Sequence, residues 1–349
     1  MNARSLPTAV VAGHICLDII PTFDRPVAIE PGKLCKIGPA VLSTGGAVSN
    51  TGLALQRLGI PTRLIGKVGD DIFGRAIREI AGADGMIVAR GETSSYTVVI
   101  SPPGVDRAFL HCPGANDTFR AADVTDAALR GAKLFHFGYP PLMRRFYLEG
   151  GRELESLFRR VKRLGLTTSL DMVMVDPNSE AGRVNWAALL RRVLPQVDLF
   201  LPSLDEIEWM IGRETKPGAL AERLLDWGAG LVGLKLGDRG LYVRTARREL
   251  LAPCFEVKVA GTTGAGDCAI AGFLAAWLRG LSLEETLTTA VAVGACCCEV
   301  PDATSGVPTW TALRRRLARG WRRRVTRLSW PGWQWDAAQQ LWIGPNNKP

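Results

Sequence analysis

The sequence lacks any apolar run of the roughly 18 residues that a membrane-spanning helix needs; its best candidates, Ala269–Leu278 and Val291–Cys298, stop well short. Its cysteines form neither a disulfide framework nor a metal site. No Cys-x-x-Cys pair occurs, and Cys296, Cys297 and Cys298 are consecutive. Neighbours on a helix point about 100° apart and cannot converge on one ion, so these read as small buried apolar residues. Histidine is scarce: His14, His111 and His136 stand apart, without His-x-x-x-His spacing, which argues against a zinc enzyme. No Gly-x-x-x-x-Gly-Lys-Ser/Thr loop is present, and the first apolar strand is not followed by Gly-x-Gly-x-x-Gly. Those absences set aside phosphate-loop NTPases and dinucleotide-binding dehydrogenases. Acid is missing from one stretch, Arg314–Arg327, which carries eight arginines. Without them 35 basic residues face 34 acidic ones, so the net charge of +9 belongs to this stretch and the body is near neutral. Read as a helix, the run places arginine all round, as a solvated face does, which argues against a nucleic-acid-binding stripe.

A chain of 349 residues, 47% of them apolar, is long enough for one large α/β domain with a smaller appendage. An early Arg followed by apolar residues superficially resembles a signal peptide, but Asp18 interrupts the stretch, and Ala9–Ile20 reads as a buried first strand. The expectation is a soluble, cytoplasmic protein. Helical and strand patterns then alternate. Helices are expected at Val48–Leu58, Asp70–Ala81, Leu148–Leu164, Trp186–Leu194, Asp205–Ile211, Leu220–Trp227 and Asp267–Leu278. Strands are expected at Pro61–Gly66, Lys133–Phe137, Thr167–Met172, Asp198–Pro202 and Gly230–Leu236. That order predicts a doubly wound, mainly parallel sheet flanked by helices. Residues 21–43 and 91–112 break the rhythm, and in the second Tyr96–Ser101 and Ala108–His111 form a hairpin pattern about Pro102-Pro103-Gly104. Together the two insertions predict a small β lid over the carboxyl ends of the main strands. The main domain is assigned to 1–310 and an Arg/Trp-rich extension to 311–349; six of the ten tryptophans lie from Trp310 onward.

The strongest chemical signal is Gly261-Thr262-Thr263-Gly264-Ala265-Gly266-Asp267, directly before a helix that is apolar nearly all round. Small residues let a backbone approach an anion, and the amides of Gly264, Ala265 and Gly266 would open toward it at a helix N-terminus. Asp267 in the first turn would face the same spot, either as a base in phosphoryl transfer or as a plain helix-capping acid. This segment is similar to the C-terminal signature of the ribokinase-like (PfkB-type) carbohydrate kinases, whose core is Gly-Ala-Gly-Asp followed by a small-residue helix. The resemblance implies that Asp267 is the catalytic base and that Gly264, Ala265 and Gly266 form the anion hole. Where relatives carry an acid that helps hold a monovalent cation, this chain has Gly261; the resemblance therefore does not carry potassium activation over.

Further segments fit the same resemblance across about residues 8–310. Gly45-Gly46-Ala47-Val48-Ser49-Asn50, leading to Arg57-Leu58-Gly59, resembles the N-terminal signature. It implies that Gly45 and Gly46 let a hydroxylated substrate lie against the backbone and that Asn50 meets a sugar hydroxyl. Asp18 stands where the family has a substrate-binding aspartate. The turn Lys235-Leu236-Gly237-Asp238-Arg239-Gly240 resembles the nucleotide-binding turn, with Gly237 and Gly240 admitting the nucleotide and Lys235 meeting a phosphate; a tight hairpin turn is compatible with the same residues. Pro202-Ser203-Leu204-Asp205-Glu206 sits where the family shows Asn-x-x-Glu. Glu206 would then position magnesium, and Ser203 replaces the usual Asn on the nucleotide side; the bland reading is a Ser N-cap with its Glu. Asp171, at a strand end, is a further candidate. His111–Asn116 and Phe135–Pro140 also resemble family segments near lid and substrate, without readable roles.

The resemblance thus implies ATP and Mg²⁺ as cofactors and a sugar or nucleoside as acceptor. A lid with an exposed sheet face also invites pairing with a second copy. A protein that keeps the pocket but has lost catalysis is the competing reading, resting on Ser203 and Gly261.

Overall fold

The computed structural model of the chain describes residues 8–26, 30–104, 107–214, 216–324 and 328–347. Residues 27–29 and 105–106 of the expected lid insertions, and Arg327 of the arginine run, lie outside them. In chain order the strands among the described residues are β1 (Thr8–Gly13), β2 (Cys16–Pro21), β3 (Ala40–Gly45), β4 (Thr62–Gly69), β5 (Met86–Ala89), β6 (Tyr96–Ile100), β7 (Ala108–Cys112), β8 (Ala132–Gly138), β9 (Thr167–Asp171), β10 (Leu199–Phe200), β11 (Leu231–Lys235), β12 (Leu241–Arg244), β13 (Glu249–Ala252), β14 (Gln334–Asp336) and β15 (Leu341–Ile343).

Alternate side chains of a strand leave on opposite faces. Ala9 and Val11 of β1 therefore join one apolar cluster and Val10 and Ala12 the other. Both faces must be covered, which is why the strand is apolar throughout. Helices Ala47–Arg57, Ala265–Leu278 and Leu283–Cys298 cover the first face, and Arg152–Arg163, Trp186–Val193, Leu204–Ile211 and Pro217–Asp226 the second. The main sheet runs β14-β15-β13-β12-β11-β10-β9-β8-β1-β4-β5, parallel from β11 to β5 and antiparallel on the other side. The expected doubly wound, mainly parallel architecture is what forms. No described helix is long and apolar enough to cross a membrane.

Three expectations need correction. Ala9–Ile20 is not one strand: β1 ends at Gly13, and β2 belongs to a separate four-stranded sheet, β3-β2-β6-β7. Gly13 has φ 126°, and a Cβ there would stand 2.5 Å from the carbonyl oxygen of Gly138. Only glycine makes this turn, by which the chain leaves the main sheet for the lid. The lid is thus built from 16–21 and 40–45 as well as the 96–112 hairpin. The helix expected from Leu148 begins at Arg152, because Glu149, Gly150 and Gly151 all have left-handed φ values (51°, 62° and 79°).

Thirdly, the arginine run is not one solvated helix. Its helix, Trp310–Ala318, ends within the run. Beyond it β15 pairs with β13, and Arg323 bridges to Phe255 with its guanidinium 4.5 Å from that ring. Arg314, Arg316, Arg322 and Arg324 pair with Glu285, Glu299, Glu256 and Asp238 of the body. The extension is therefore woven into the main sheet.

Candidate active site

Parallel strands deliver their carboxyl ends to one edge, and Gly13, Gly138 and Asp171 stand there in register on β1, β8 and β9. The lid sheet rises from the same edge. Between them lies a cavity of about 780 Å³, lined by Asp18, Asn50, Glu206 and Asp267 together with Gly46 and Gly264. His14, His111, Tyr139 and Arg107 also face it, none of which the sequence reading assigned a role. The remaining expected residues (Gly45, Asp171, Ser203, Lys235, Gly237, Gly240, Ala265 and Gly266) are outside the lining.

Asp267 sits in the first turn of the Ala265–Leu278 helix, 4% exposed, behind Gly264 at φ 71°. Its carboxylate is fully engaged. The Tyr139 hydroxyl donates to both oxygens, at 2.9 and 2.8 Å, the Asn50 amide to Oδ2 at 3.0 Å, and Thr51 to Oδ1 at 3.4 Å. Burial, and next the negative charge of Asp267, push the Tyr139 phenol well above its usual pKa, so it keeps its proton and donates it to Asp267. The loop before the helix is fixed from below, where the Cys297 thiol donates to the Thr263 carbonyl at 3.3 Å. From above, Arg107 of the lid donates to the hydroxyls of Thr262 (2.8 Å) and Thr263, tying lid to loop across the cavity. Of the three amides expected to open toward an anion, that of Ala265 turns back to the Thr262 carbonyl at 3.3 Å. Gly261 is tightly packed, since a Cβ there would stand 3.0 Å from Pro301 and from the carbonyl oxygen of Val300.

The glycine pair before Asn50 serves the protein's own side chains. A Cβ on Gly45 would lie 2.3 Å from Oδ2 of Asp18, and one on Gly46, with φ 85°, 2.5 Å from Nδ1 of His14. The space a side chain would take at these two positions is filled by Asp18 and His14, which line the cavity together with Gly46. Asp18 is pushed up to about 6, chiefly by burial. His14 and His111 approach to 3.4 Å between Nε2 atoms; burial holds both below the usual imidazole range, His111 at about 4. Asn50 keeps Oδ1 buried with no partner, an acceptor whose burial costs about 1–3 kcal/mol until something donates to it.

Beside Asp267 lies a charge cluster. The Lys235 ammonium donates to Oδ1 of Asp171 at 2.8 Å, with the two side chains 12% and 1% exposed. Burial opposes the charge on Lys235, but Asp171, Glu206 and Asp267 together outweigh it and raise its pKa. Oδ2 of Asp171 is buried without a partner. One oxygen of Glu206 accepts from the Ser203 amide at 2.7 Å, the capping arrangement at the start of Leu204–Ile211. Burial first, and more weakly the charge of Asp267, raise its pKa. The glycine turn after Lys235 divides: at Gly240 a Cβ would be 1.9 Å from the Ala252 carbonyl oxygen, a structural demand of the β11–β12 hairpin. At Gly237 nothing lies within 4 Å, so that surface is open. Gly266 packs on Lys235, 3.4 Å from where its Cβ would be.

Residues 7–310 match the profile of the pfkB family carbohydrate kinases. A sugar kinase of Archaeoglobus fulgidus is 32% identical over 264 residues, 73% of this chain and 98% of its own. A 2-dehydro-3-deoxygluconokinase of Bacillus subtilis is 27% identical over 315 residues, covering 85% and 93%. Among solved structures, Arabidopsis thaliana ribokinase complexed with ribose and ATP superimposes with a TM-score of 0.75 at 22% identity, over 89% of this chain and 99% of that one.

Proposed function

The chain belongs to the pfkB family of carbohydrate kinases, and from that premise we propose that its transfer of phosphate from ATP to a sugar hydroxyl takes place in the cavity between the two sheets, with Asp267 as the base. One observation carries this: a buried carboxylate in the first turn of a helix faces a cavity large enough for a sugar and a phosphate chain, with Gly264 beside it at the helix N-terminus. Asp18 and the unpartnered Oδ1 of Asn50 accept hydrogen bonds from sugar hydroxyls, and the neutral His14–His111 pair borders the same space. The acceptor hydroxyl donates to Asp267. As its oxygen bonds to the γ-phosphorus its proton passes to that carboxylate, and the bond to the bridging oxygen breaks to release ADP. The amides of Gly264 and Gly266 and the dipole of the helix behind them stabilise charge on the transferring group. Open backbone at Gly237 supports nucleotide approach, and Lys235 places a buried positive charge next to the phosphates.

Mg²⁺ fits the donors present. Among the described residues no group of three or more His, Cys, Asp or Glu could hold a metal by itself, yet Mg²⁺ is commonly held by one or two carboxylates plus substrate phosphates. Glu206, and Asp171 through its unpartnered Oδ2, would hold it, and when bound it neutralises phosphate charge. On the lid's edge strands Val41, Leu42, Phe109 and Leu110 are each more than half exposed, which supports that sheet as a pairing surface for a second copy. The test is Asp267→Asn, assayed by ADP release across a panel of sugars. The fold should be retained while kcat drops by about 10² or more, and near wild-type turnover would remove the base from this position.

A further inference from the structure

Both oxygens of the proposed base are occupied by a side chain that is not substrate. Tyr139 stands one residue beyond the end of β8, in left-handed backbone (φ 68°, ψ 42°) that a non-glycine residue adopts only under constraint. The adjoining Pro140 and Pro141 are both buried, and the turn aims the phenol into the cavity at Asp267. At 2.9 and 2.8 Å its hydroxyl makes the hydrogen bonds that an acceptor hydroxyl would have to make. Asn50 and Thr51, which also donate to Asp267, come from the Ala47–Arg57 helix, whereas Tyr139 comes from the strand end beneath the lid. Its ring lies 6.0 Å from that of His14, at the crossover from β1 into the lid, so a shift of the lid there reaches Tyr139 directly.

We propose that Tyr139 is a placeholder for the acceptor: without sugar its hydroxyl occupies the positions on Asp267 that the acceptor hydroxyl takes, which keeps water from being activated there, and sugar binding displaces it. This rests on Asp267 being the base. The reaction held in check is hydrolysis of ATP. In it a water gives its proton to Asp267, its oxygen bonds to the γ-phosphorus, and the bond to the bridging oxygen breaks, yielding ADP and phosphate. A hydrogen bond to a charged group contributes enough that its removal is visible in rates.

The experiment uses the full chain carrying Tyr139→Phe, with Tyr139→Leu as a second variant should the first melt early. Phosphate release from ATP without sugar is expected to rise about three-fold or more, and the KM of the best sugar in the panel to fall, because the sugar no longer has to displace a phenol. A purely structural role would lower kcat and leave hydrolysis where it was. Acceptor-free hydrolysis at or below the wild-type rate overturns the proposal. So does a rise that persists when Asp267→Asn is added, since it would owe nothing to that carboxylate. Asp267→Asn alone separates the two readings: if it loses sugar phosphorylation while Tyr139→Phe gains no hydrolysis, the placeholder fails and the base stands. If it keeps sugar phosphorylation, the base itself is misassigned.

Discussion

Lys235→Met should be among the most destabilising single changes in this chain, and the reason can be worked from its partner. Asp171 is 1% exposed, with one oxygen on the Lys235 ammonium at 2.8 Å and the other on nothing. Burial, and after it Glu206 and Asp267, already push the Asp171 carboxyl well above its usual range against the pull of Lys235. Removing the ammonium therefore leaves a buried group that must carry either an unpaired charge or a proton with no partner. Breaking one side of a buried ion pair costs about 3–5 kcal/mol, a large part of the roughly 5–15 kcal/mol that holds a folded protein together. The urea midpoint should fall accordingly. Adding Asp171→Leu removes the stranded charge, and replacing both partners by apolar groups is often neutral, so most of the loss should return. ATP kinetics on that double variant then isolate the second role of Lys235. With stability restored, a KM for ATP above that of Asp171→Leu alone, which lacks the same proposed Mg²⁺ ligand, identifies a phosphate contact, and a KM equal to it identifies a lysine that only balances buried acid. A single variant within about 1 kcal/mol of wild type would refute the reasoning, because so small a loss belongs to a solvated pair.

Two further outcomes are expected. Asp18 has its carboxyl raised to about 6, so it gains a proton as pH falls through that value and stops accepting hydroxyls in pairs; between pH 7.5 and 5.5 its ionised fraction drops to about a quarter, and the KM for sugar should rise about four-fold. Asp18→Asn should remove that dependence, and a flat wild-type profile would separate Asp18 from the acceptor. Deleting residues 311–349 should lower the unfolding free energy by roughly 3–6 kcal/mol, read as a lower urea midpoint, since it removes the packing of Leu313 and Leu341, each 0% exposed, and uncovers the edge of β13; an unchanged midpoint would make the extension a true appendage.

Alternation of apolar runs with amphipathic stretches suffices to read a doubly wound sheet, because strands covered on both faces are mostly apolar, with buried polar exceptions such as His136 on β8 and Thr168 and Ser169 on β9. The same property hides where one strand ends and the next begins. From Ala9 to Leu17 the residues on both sides of the Gly13 crossover are buried, and the one polar residue there, His14, is buried too, so the departure into the lid is not marked by exposure. The last two strands are illegible for a different reason. Gln334–Asp336 and Leu341–Ile343 are three residues each, too short for any period, and β15 exists because β13 offers an edge to pair with. Likewise a run of arginines reads as a solvated face until its acids are known. Glu256, Glu285 and Glu299 are dispersed in sequence and meet Arg322, Arg314 and Arg316 only in the fold.

The site divides along the same line. Asp267 is legible since everything that marks it is local: small residues, a helix start and an acid in the first turn. What gives that acid its chemistry is not local. Asn50 lies 217 positions away and Tyr139 128, and Tyr139 is announced by nothing more than a glycine before it and two prolines after. Glycine is the most easily misjudged signal. Gly45 and Gly46 look like room for a ligand, and Gly240 like room for a nucleotide, yet each gap is filled by Asp18, His14 or the backbone of Ala252, while Gly237 remains open. A glycine in a sequence states that a Cβ would not fit or would strain the backbone. It does not state whether a ligand or the protein itself needs the space, and that distinction decides which groups face the sugar. At the glycine pair before Asn50 the space a Cβ would take goes to Asp18 and His14, so side chains of the lid and its hinge border the cavity there beside the backbone of Gly46.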